Sequence, residues 1–454
     1  RLVWRASPGW VGRAMAFAGV LIGLWLGLTA YVLDGVTLWP LIALVLAAAV
    51  LGAPIFTILG GAAVLLYMGD GDLPVIVAIE TYGLTIPLFT LAGFILARGN
   101  ASERLLRVFR AGVGWIPGGT AIVCVLLCAF FTVFTGGSGV TILALGGLLF
   151  PALLKDGYRD RFSLGLLTAS GSLGLLFPPA MPLILYAIVA QVAPDDLFVA
   201  GLAPGILLIG LTAAWGVREG LRTGAGRRRF GWPEFRAALW EAKWELSIPF
   251  VVLGVLFSGF ATLVETAAVT AFYAALIQGV IHRDFTLGRG LREAFTECVV
   301  LVGGVLIILG VAVGFTAYLV DAEVPFRLVE WAEANIGSRL MFLLGLNIFL
   351  LLVGCVMDIF SAIFVVVPLI VPVAEQFGIH PLHLGIIFIA NLELGFLTPP
   401  VGLNLFLASY RFDRPLLEIY RASVPLLVIL GFGVLVITYV PWLTLGLLEW
   451  LGRI

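Results

Sequence analysis

Long apolar segments separated by short polar ones make up almost the whole of this chain. A helix that crosses a membrane needs roughly 17 to 25 mostly apolar residues, and many of these segments reach that length. We therefore predict an all-α polytopic membrane protein. Its apolar segments are 15–33, 38–68, 75–98, 119–154, 162–195, 197–218, 246–262, 263–281, 290–320, 340–376, 383–410 and 421–447.

Two of the segments, 119–154 and 340–376, are too long for one span and carry polar residues near their middles. We predict that each forms a re-entrant helical hairpin, whose polar tip joins two helices. Irregular backbone at membrane depth is stable only where protein or a water-filled cavity surrounds it, so both tips should face inward. The tips are Thr135-Gly136-Gly137-Ser138-Gly139 and Met357-Asp358.

The chain also contains an internal repeat in which helix-breaking residues recur 221 positions apart. Proline lacks an N–H group and disfavours helical geometry in the residue before it, so each double proline predicts a broken helix. Matched helix breakers in two halves of a membrane protein indicate a transporter's binding site. The matched pairs are Pro151 and Pro372, Gly157 and Gly378, Gly174 and Gly395, and Pro178-Pro179 and Pro399-Pro400.

Charge predicts the orientation, because positive residues collect in cytoplasmic loops. Four spans separate segment 75–98 from its repeat partner 290–320, so the partner runs the opposite way and the repeat has inverted topology. The first hairpin should then enter from the cytoplasm and the second from outside. The basic loops are 98–110, 155–161, 218–229 and 282–292, and the acidic ones are 69–72, 194–196 and 321–323.

The N-terminal part leaves a choice open. Segment 38–68 is either two short spans broken near Gly52-Ala53-Pro54 or a single tilted span with the N-terminus outside. Segment 15–33 is too long and too far into the chain for a cleaved signal to be the first choice, so we expect a retained helix there.

Composition agrees with the membrane assignment. Hydrophobic residues make up 61% of the 454 residues, charged residues 12%, and mean hydropathy is +1.13, which is more apolar surface than a soluble core can hide. The net charge of -1 argues against a nucleic-acid partner. The four cysteines lie in or beside apolar runs, so we expect packing residues and not a metal or disulfide framework.

These patterns divide the chain into seven parts. They are an extra N-terminal segment with one helix (1–37), scaffold helices and a surface arm of the first repeat (38–116), a hairpin and broken helix forming half of a transport domain (117–196), a closing helix with a basic cytoplasmic linker (197–245), the second scaffold and arm (246–338), the second transport-domain half (339–412) and a C-terminal helix (413–454).

The chemistry of a broken helix suits small ions. Where a helix stops, its last carbonyls and its successor's first amides lose their partners. A hairpin tip that closes on such a break makes a dehydrated cage of carbonyl and hydroxyl oxygens. Such a cage favours a hard monovalent cation such as sodium. Two halves predict two cages with an organic substrate between them.

Several strings resemble the large membrane subunit of tripartite ATP-independent periplasmic (TRAP) transporters. They are Ile86-Pro-Leu-Phe89, Gly136-Gly-Ser-Gly139, Phe177-Pro-Pro-Ala-Met-Pro182 and the quite specific Leu397-Thr-Pro-Pro-Val-Gly-Leu-Asn-Leu-Phe406. The resemblance covers about residues 40–450. It implies a sodium-driven, elevator-type importer of carboxylate-bearing metabolites in a bacterial inner membrane. It also implies two partners, a small membrane subunit of about four helices and a periplasmic substrate-binding protein, and no enzymatic activity or cofactor other than the coupling sodium ions.

The same resemblance implies the site residues. The first sodium site would use Gly136, Gly137, Ser138 and Gly139 against Leu176, Phe177 and Pro178. The second would use Met357 and Asp358 against Leu397, Thr398, Pro399 and Gly402. The substrate would lie between them, near Ser138, Ser172, Asp358 and Asn404.

Some polar residues have competing interpretations. Glu393 is either paired or protonated for structure, or functional. Glu80 and Glu265 fit a structural role, and His380 and His383 fit a solvated loop better than proton coupling. A stand-alone dicarboxylate carrier or antiporter is the alternative function. Gly136-Gly137-Ser138-Gly139 also fits the nucleophile string of an intramembrane serine protease, although no histidine is predicted beside Ser138 as base.

Overall fold

A computed structural model describes residues 85–224, 230–258, 261–285 and 288–454. Every regular element in these ranges is a helix, which confirms the predicted fold class. The predicted helices at 15–33 and 38–68, and Glu80, lie outside the described residues. Contacts divide the chain into two compact units, and all described residues except 306–323 belong to the same one.

The helices follow the order that the hydrophobic pattern predicts. The first repeat contains α1 (Thr85–Arg98), α2 (Ala101–Val113), α3 (Gly119–Thr135), α4 (Ser138–Lys155), α5 (Asp160–Ser170), α6 (Met181–Val189) and α7 (Pro194–Thr223), and α8 (Trp232–Glu241) follows as a linker. The second contains α9 (Lys243–Phe257), α10 (Leu263–Leu276) with a π-helical turn (Ile277–Ile281), α11 (Arg289–Asp321), α12 (Val324–Asn335), α13 (Arg339–Val356), α14 (Ile359–Gln376), α15 (Pro381–Gly395), α16 (Leu403–Phe412), α17 (Leu416–Tyr439) and α18 (Trp442–Trp450).

The structure confirms the internal repeat. Adding 221 to the bounds of α4 gives those of α14, and the same shift places α2 on α12, α3 on α13 and α7 on α17 to within a few residues. Gly157 and Gly378, which follow the two hairpins, both have positive φ, at 90° and 67°. Both double prolines contain a cis peptide bond. From the arm to the closing helix, the two halves are therefore built from the same sequence of elements, α2 to α7 and α12 to α17.

Six of the described helices are long and apolar enough to cross a membrane, namely α4, α7, α10 with its π turn, α13, α14 and α17. The hairpins α3–α4 and α13–α14 and the helix breaks at 171–180 and 396–402 are all present. Re-entry of the hairpins from opposite sides of the membrane stays a prediction.

The two repeats interlock. Helix α4 of the first hairpin packs on α16, the second part of the second broken helix, and α14 of the second hairpin packs on α6. Each hairpin thus touches the broken helix of the other repeat as well as its own. The four hairpin helices and the broken helices consequently form one packed block.

Glycines allow the broken helices to approach the hairpins closely. A Cβ atom on Gly174 would lie 2.3 Å from the carbonyl oxygen of Ala129 in α3, and one on Gly395 would lie 2.6 Å from the carbonyl carbon of Gly354 in α13. These two glycines are repeat partners. Their shared role is backbone-to-backbone packing, as is common for glycine in membrane helices.

A buried charge network anchors the first arm, α2, to the scaffold. Arg104 donates from Nε to Glu245 of α9 at 2.7 Å and from Nη2 to Gln278 of the π turn at 2.9 Å and Asp284 at 2.7 Å. Burial raises the pKa of the Asp284 carboxyl, but hydrogen bonds from Arg104 and from the Asn100 amide outweigh burial and lower the pKa overall. The network therefore keeps Asp284 charged and holds the arm in place.

Loss of this anchor should destabilise the protein strongly. Arg104→Met leaves the fully buried Glu245 carboxylate without its countercharge, so we expect a loss of about 3–5 kcal/mol in the free energy of unfolding. Arg107→Met is the matched control, because Arg107 of the same helix pairs with Glu234 and Glu241 at the surface and should contribute at most about 1 kcal/mol. Thermal unfolding in detergent measures both, and equal losses would contradict the anchor.

Candidate functional site

One cavity of about 240 Å³ is lined by both hairpin tips. Gly136, Gly137 and Ser138 reach it from the first tip, and Asp358 and Phe360 reach it from the second. The wall between them includes Leu175 and Phe396 from the two breaks and Leu403 and Leu407 from α16. The structure thus brings the two matched tracts of the sequence together, as the interlocked packing requires.

The first tip is a tight turn that glycine makes possible. Gly136 ends α3 with φ of 65°, a left-handed conformation that side chains disfavour. A Cβ atom on it would lie 2.9 Å from Cβ of Met181, the first residue of α6, and one on Gly139 would lie 2.3 Å from Leu407 of α16. The tip therefore sits between the second parts of both broken helices.

Threonine and backbone oxygens cluster behind this tip. The hydroxyl oxygen of Thr132 lies 2.7 Å from that of Thr141 and 2.8 Å from the carbonyl oxygens of Cys128 and Gly171. Thr135 adds a hydroxyl 3.4 Å from that of Thr141. A hydroxyl carries only one proton, so the Thr132 hydroxyl cannot donate to both carbonyls at once. The buried oxygens of this cluster outnumber the hydroxyl protons that could bridge them, and such a set of oxygen ligands suits a monovalent cation.

Thr135 lies in the predicted first tip, but Thr132 and Thr141 were not among the residues predicted from the sequence. Their signal is their spacing, because Thr132 and Thr135 share one face at the end of α3 and Thr141 lies in the first turn of α4. Because α3 ends and α4 begins at the glycine tip, hydroxyls in the last turn of α3 and in the first turn of α4 lie close together.

The second tip is built differently. Asp358 caps the N-terminus of α14, where its Oδ2 accepts hydrogen bonds from the amides of Phe360 at 3.0 Å and Ser361 at 3.1 Å. The amide of Gly402 in the second break donates to the carbonyl of Cys355 at 3.0 Å. The tip and the break are therefore joined through backbone groups that a continuous helix would have used internally.

Carbonyl oxygens converge at this second break as well. Gly402 has φ of 56°, and a Cβ atom there would lie 2.9 Å from the oxygen of Thr398 and 3.0 Å from that of Phe396. The Thr398 hydroxyl donates to the carbonyl of Leu394 in the last turn of the preceding helix, α15, at 3.0 Å. The oxygens near this tip are thus mainly from the backbone, with the Asp358 carboxylate beside them.

Other predicted residues lie away from the cavity. A Cβ atom on Gly201 of α7 would lie 2.2 Å from the carbonyl oxygen of Leu176, and a Cβ atom on Gly205 would lie 2.6 Å from the ring of Phe177. Leu176 and Phe177 therefore contact α7, the closing helix. Ser172 and Asn404 are fully buried, and Asn404 donates to the carbonyl of Thr168 at 3.3 Å. The remaining predicted residues, Pro178, Met357, Leu397 and Pro399, lie at the breaks and at the second tip.

The solvated-loop prediction for His383 is wrong. His383 lies inside α15 and is fully buried, with Nδ1 2.8 Å from the Thr444 hydroxyl and Nε2 3.3 Å from the carbonyl of Thr438. Its ring is hydrogen-bonded to α17 and α18 and not to Ser138. Glu393 is buried too, and its Oε1 has no hydrogen-bond partner among the described residues.

Three comparisons bear on this arrangement. Residues 41–443 match the family described as tripartite ATP-independent periplasmic transporter, DctM component. The chain is 35% identical over 370 residues to the C4-dicarboxylate TRAP transporter large permease protein DctM of Pseudomonas aeruginosa, covering 81% of this chain and 86% of the relative. The chain is also 32% identical to the isethionate TRAP transporter permease protein DctMQ of Oleidesulfovibrio alaskensis. This match covers 86% of this chain but only 63% of that protein's length. The solved Alcanivorax borkumensis YdaH transporter is alike in fold, with a TM-score of 0.61 at 16% identity over 89% of this chain and 98% of its own.

Cysteine labelling tests the cavity. Val140→Cys and Leu403→Cys, which place a thiol in the lining, should react with a small water-soluble methanethiosulfonate reagent. Ser172→Cys, at a fully buried position, should stay unmodified. The four native cysteines are buried, so background labelling should be low. Equal reaction at all three positions, measured by mass spectrometry, would contradict the cavity.

Proposed function

Since the chain belongs to the DctM family of tripartite ATP-independent periplasmic transporters, we propose that it imports a small carboxylate-bearing organic acid with sodium as coupling ion. The relatives' names include transporters of C4-dicarboxylates, isethionate and ectoine. Each of these compounds carries a carboxylate or sulfonate group. We place the protein in a bacterial inner membrane, with a small four-helix membrane subunit and a periplasmic binding protein as partners.

The observation that supports sodium coupling is the charge of the shared cavity. Among the described residues of its lining, Asp358 is the only ionisable one, and substrates of the proposed class carry an anionic carboxylate or sulfonate group as well. Two negative charges in a site of low dielectric repel each other by several kcal/mol. Bound cations offset that repulsion, so substrate binding and cation binding favour each other.

The two oxygen clusters supply the cation sites of this proposal. In the first, Thr132, Thr141 and the Gly171 carbonyl would hold one sodium ion behind the glycine tip. In the second, the carbonyls of Phe396 and Thr398 would hold another beside Asp358. Oxygen ligands of this kind suit hard cations. The substrate would occupy the cavity between Ser138 and Asp358.

The interlocked packing supports an elevator movement. The hairpins and broken helices form one block, whereas α10 packs against both α1 and α9, and α9 holds the first arm through Arg104. The block meets this scaffold at α3, on which α1 and α2 pack. Gly93 of α1 meets the backbone of Phe134 and Thr135 at the end of α3, where its Cβ would lie 2.4 Å from the Phe134 oxygen.

Transport assays test the coupling. Reconstituted in proteoliposomes with both partners, the protein should accumulate succinate, isethionate or ectoine only under an inward sodium gradient. Uptake that is unchanged when potassium replaces sodium would contradict sodium coupling. Uptake that persists without the binding protein would instead favour the stand-alone carrier.

The first cation site has a matched pair of variants. Thr132→Val removes a hydroxyl from the oxygen cluster, so the sodium concentration for half-maximal uptake should rise about tenfold, which corresponds to roughly 1.4 kcal/mol. Thr168→Val is the control, because among the described residues the Thr168 hydroxyl donates to the carbonyl of Leu164 in its own helix and to no other group. An equal sodium dependence in both variants would refute this assignment.

A further inference from the structure

A second cavity, of about 490 Å³, lies along the first arm, between α2, Leu148 of α4 and the start of the linker helix α8. Glu103, Arg107 and Arg110 of α2 line it, together with Trp115 and with Glu234 of the linker helix α8. None of these residues belongs to the tips or breaks. The cavity is therefore separate from the candidate transport site.

Its charged groups are unequally paired. Arg107 is neutralised by Glu234 and Glu241. Arg110, in contrast, has a buried Nε with no hydrogen-bond partner among the described residues, and the exposed Glu103 forms no ion pair with any of them. Within the described part of the chain, the Arg110 Nε and the Glu103 carboxylate thus face the same cavity without a protein partner. A buried guanidinium nitrogen without an acceptor is costly, and this favours a ligand.

The surroundings indicate the depth of a lipid headgroup. Trp115 is exposed, with its indole N–H donating to the carbonyl of Gly112 at 2.8 Å. Phe230, Trp232 and Phe235 form an aromatic cluster beside it, with ring centroids 5.8 to 6.3 Å apart, and Phe235 packs on Gly112. Exposed aromatic residues gather at the membrane–water interface. The basic loops predict that this is the cytoplasmic interface.

We propose that this cavity binds the headgroup of phosphatidylethanolamine. Arg110 would donate to the phosphate diester, and Glu103, two helical turns away on the same face of α2, would accept from the ethanolamine ammonium. Leu106, Ala111 and Leu148 supply an apolar surface for the glycerol end. A lipid bearing only negative charge would satisfy Arg110 but leave Glu103 without a partner.

This assignment has a consequence for the arm. Arg104 ties α2 to the scaffold from within, and a lipid held by Arg110 would tie the same helix to the bilayer from outside. The bound headgroup would then fix the depth of the scaffold in the membrane, independently of which substrate or ion the transport site takes.

Binding of short-chain lipids to the purified full-length protein tests the proposal. Dihexanoyl phosphatidylethanolamine should bind about tenfold more tightly than dihexanoyl phosphatidylglycerol or inorganic phosphate, measured by calorimetry below the critical micelle concentration of either lipid. Arg110→Gln should weaken binding of both lipids about tenfold. Glu103→Gln should abolish the preference for phosphatidylethanolamine. Arg236→Gln, at an exposed position of α8 outside the cavity, is the control and should change nothing.

Three other outcomes of these binding measurements would contradict the proposal. Phosphate that binds as tightly as the lipid would show a site for free phosphate. A preference that survives in Glu103→Gln would refute the ammonium contact, and unchanged lipid affinity in both variants would refute the site. Gel filtration checks that the variants are folded, so a lost affinity can be assigned to the side chain.

Discussion

The rest of the structure depends on one requirement. Where a helix breaks inside an apolar block, its unpaired N–H and C=O groups must find hydrogen-bond partners within the block. The amide of Gly402 finds the carbonyl of Cys355 in the opposing hairpin, and the carbonyl of Gly171 finds the Thr132 hydroxyl. Each break is therefore completed by a hairpin. This requirement explains why helix breakers and hairpin tips occur together in each repeat.

The two halves share this arrangement but not its chemistry. The first tip turns on glycines and is backed by neutral threonine hydroxyls, whereas the second is an aspartate that caps its own helix. The breaks differ too, because Pro178 and Pro179 are buried while Pro399 and Pro400 are exposed. The symmetry of the backbone thus creates two facing tips, and the side chains make them unequal. In the sodium-coupled function that we propose, the two tips would bind cations differently, because Asp358 lies at the second tip only.

Helix α2 shows how burial and partners separate the roles of chemically identical side chains. Arg104 is buried and pairs with the buried carboxylates of Glu245 and Asp284. Arg107, one turn later, is exposed, and its ion pairs are screened by solvent. The buried Nε of Arg110 has no hydrogen-bond partner among the described residues. The arm is therefore held to the scaffold at one end of the helix and open to a ligand at the other.

The sequence by itself determined the all-helical membrane fold, the repeat and the positions of tips and breaks, because spanning length, helix breakers and loop charge are local properties. Gly136 and Asp358 were found in this way. The tertiary structure alone decided that α4 packs on α16, that Thr132 and Thr141 meet, that Leu176 and Phe177 face α7, and that His383 is buried against Thr438 and Thr444. These contacts join residues far apart in the chain, and a side chain's direction across a packed interface follows from the helix that covers it, which no local pattern encodes.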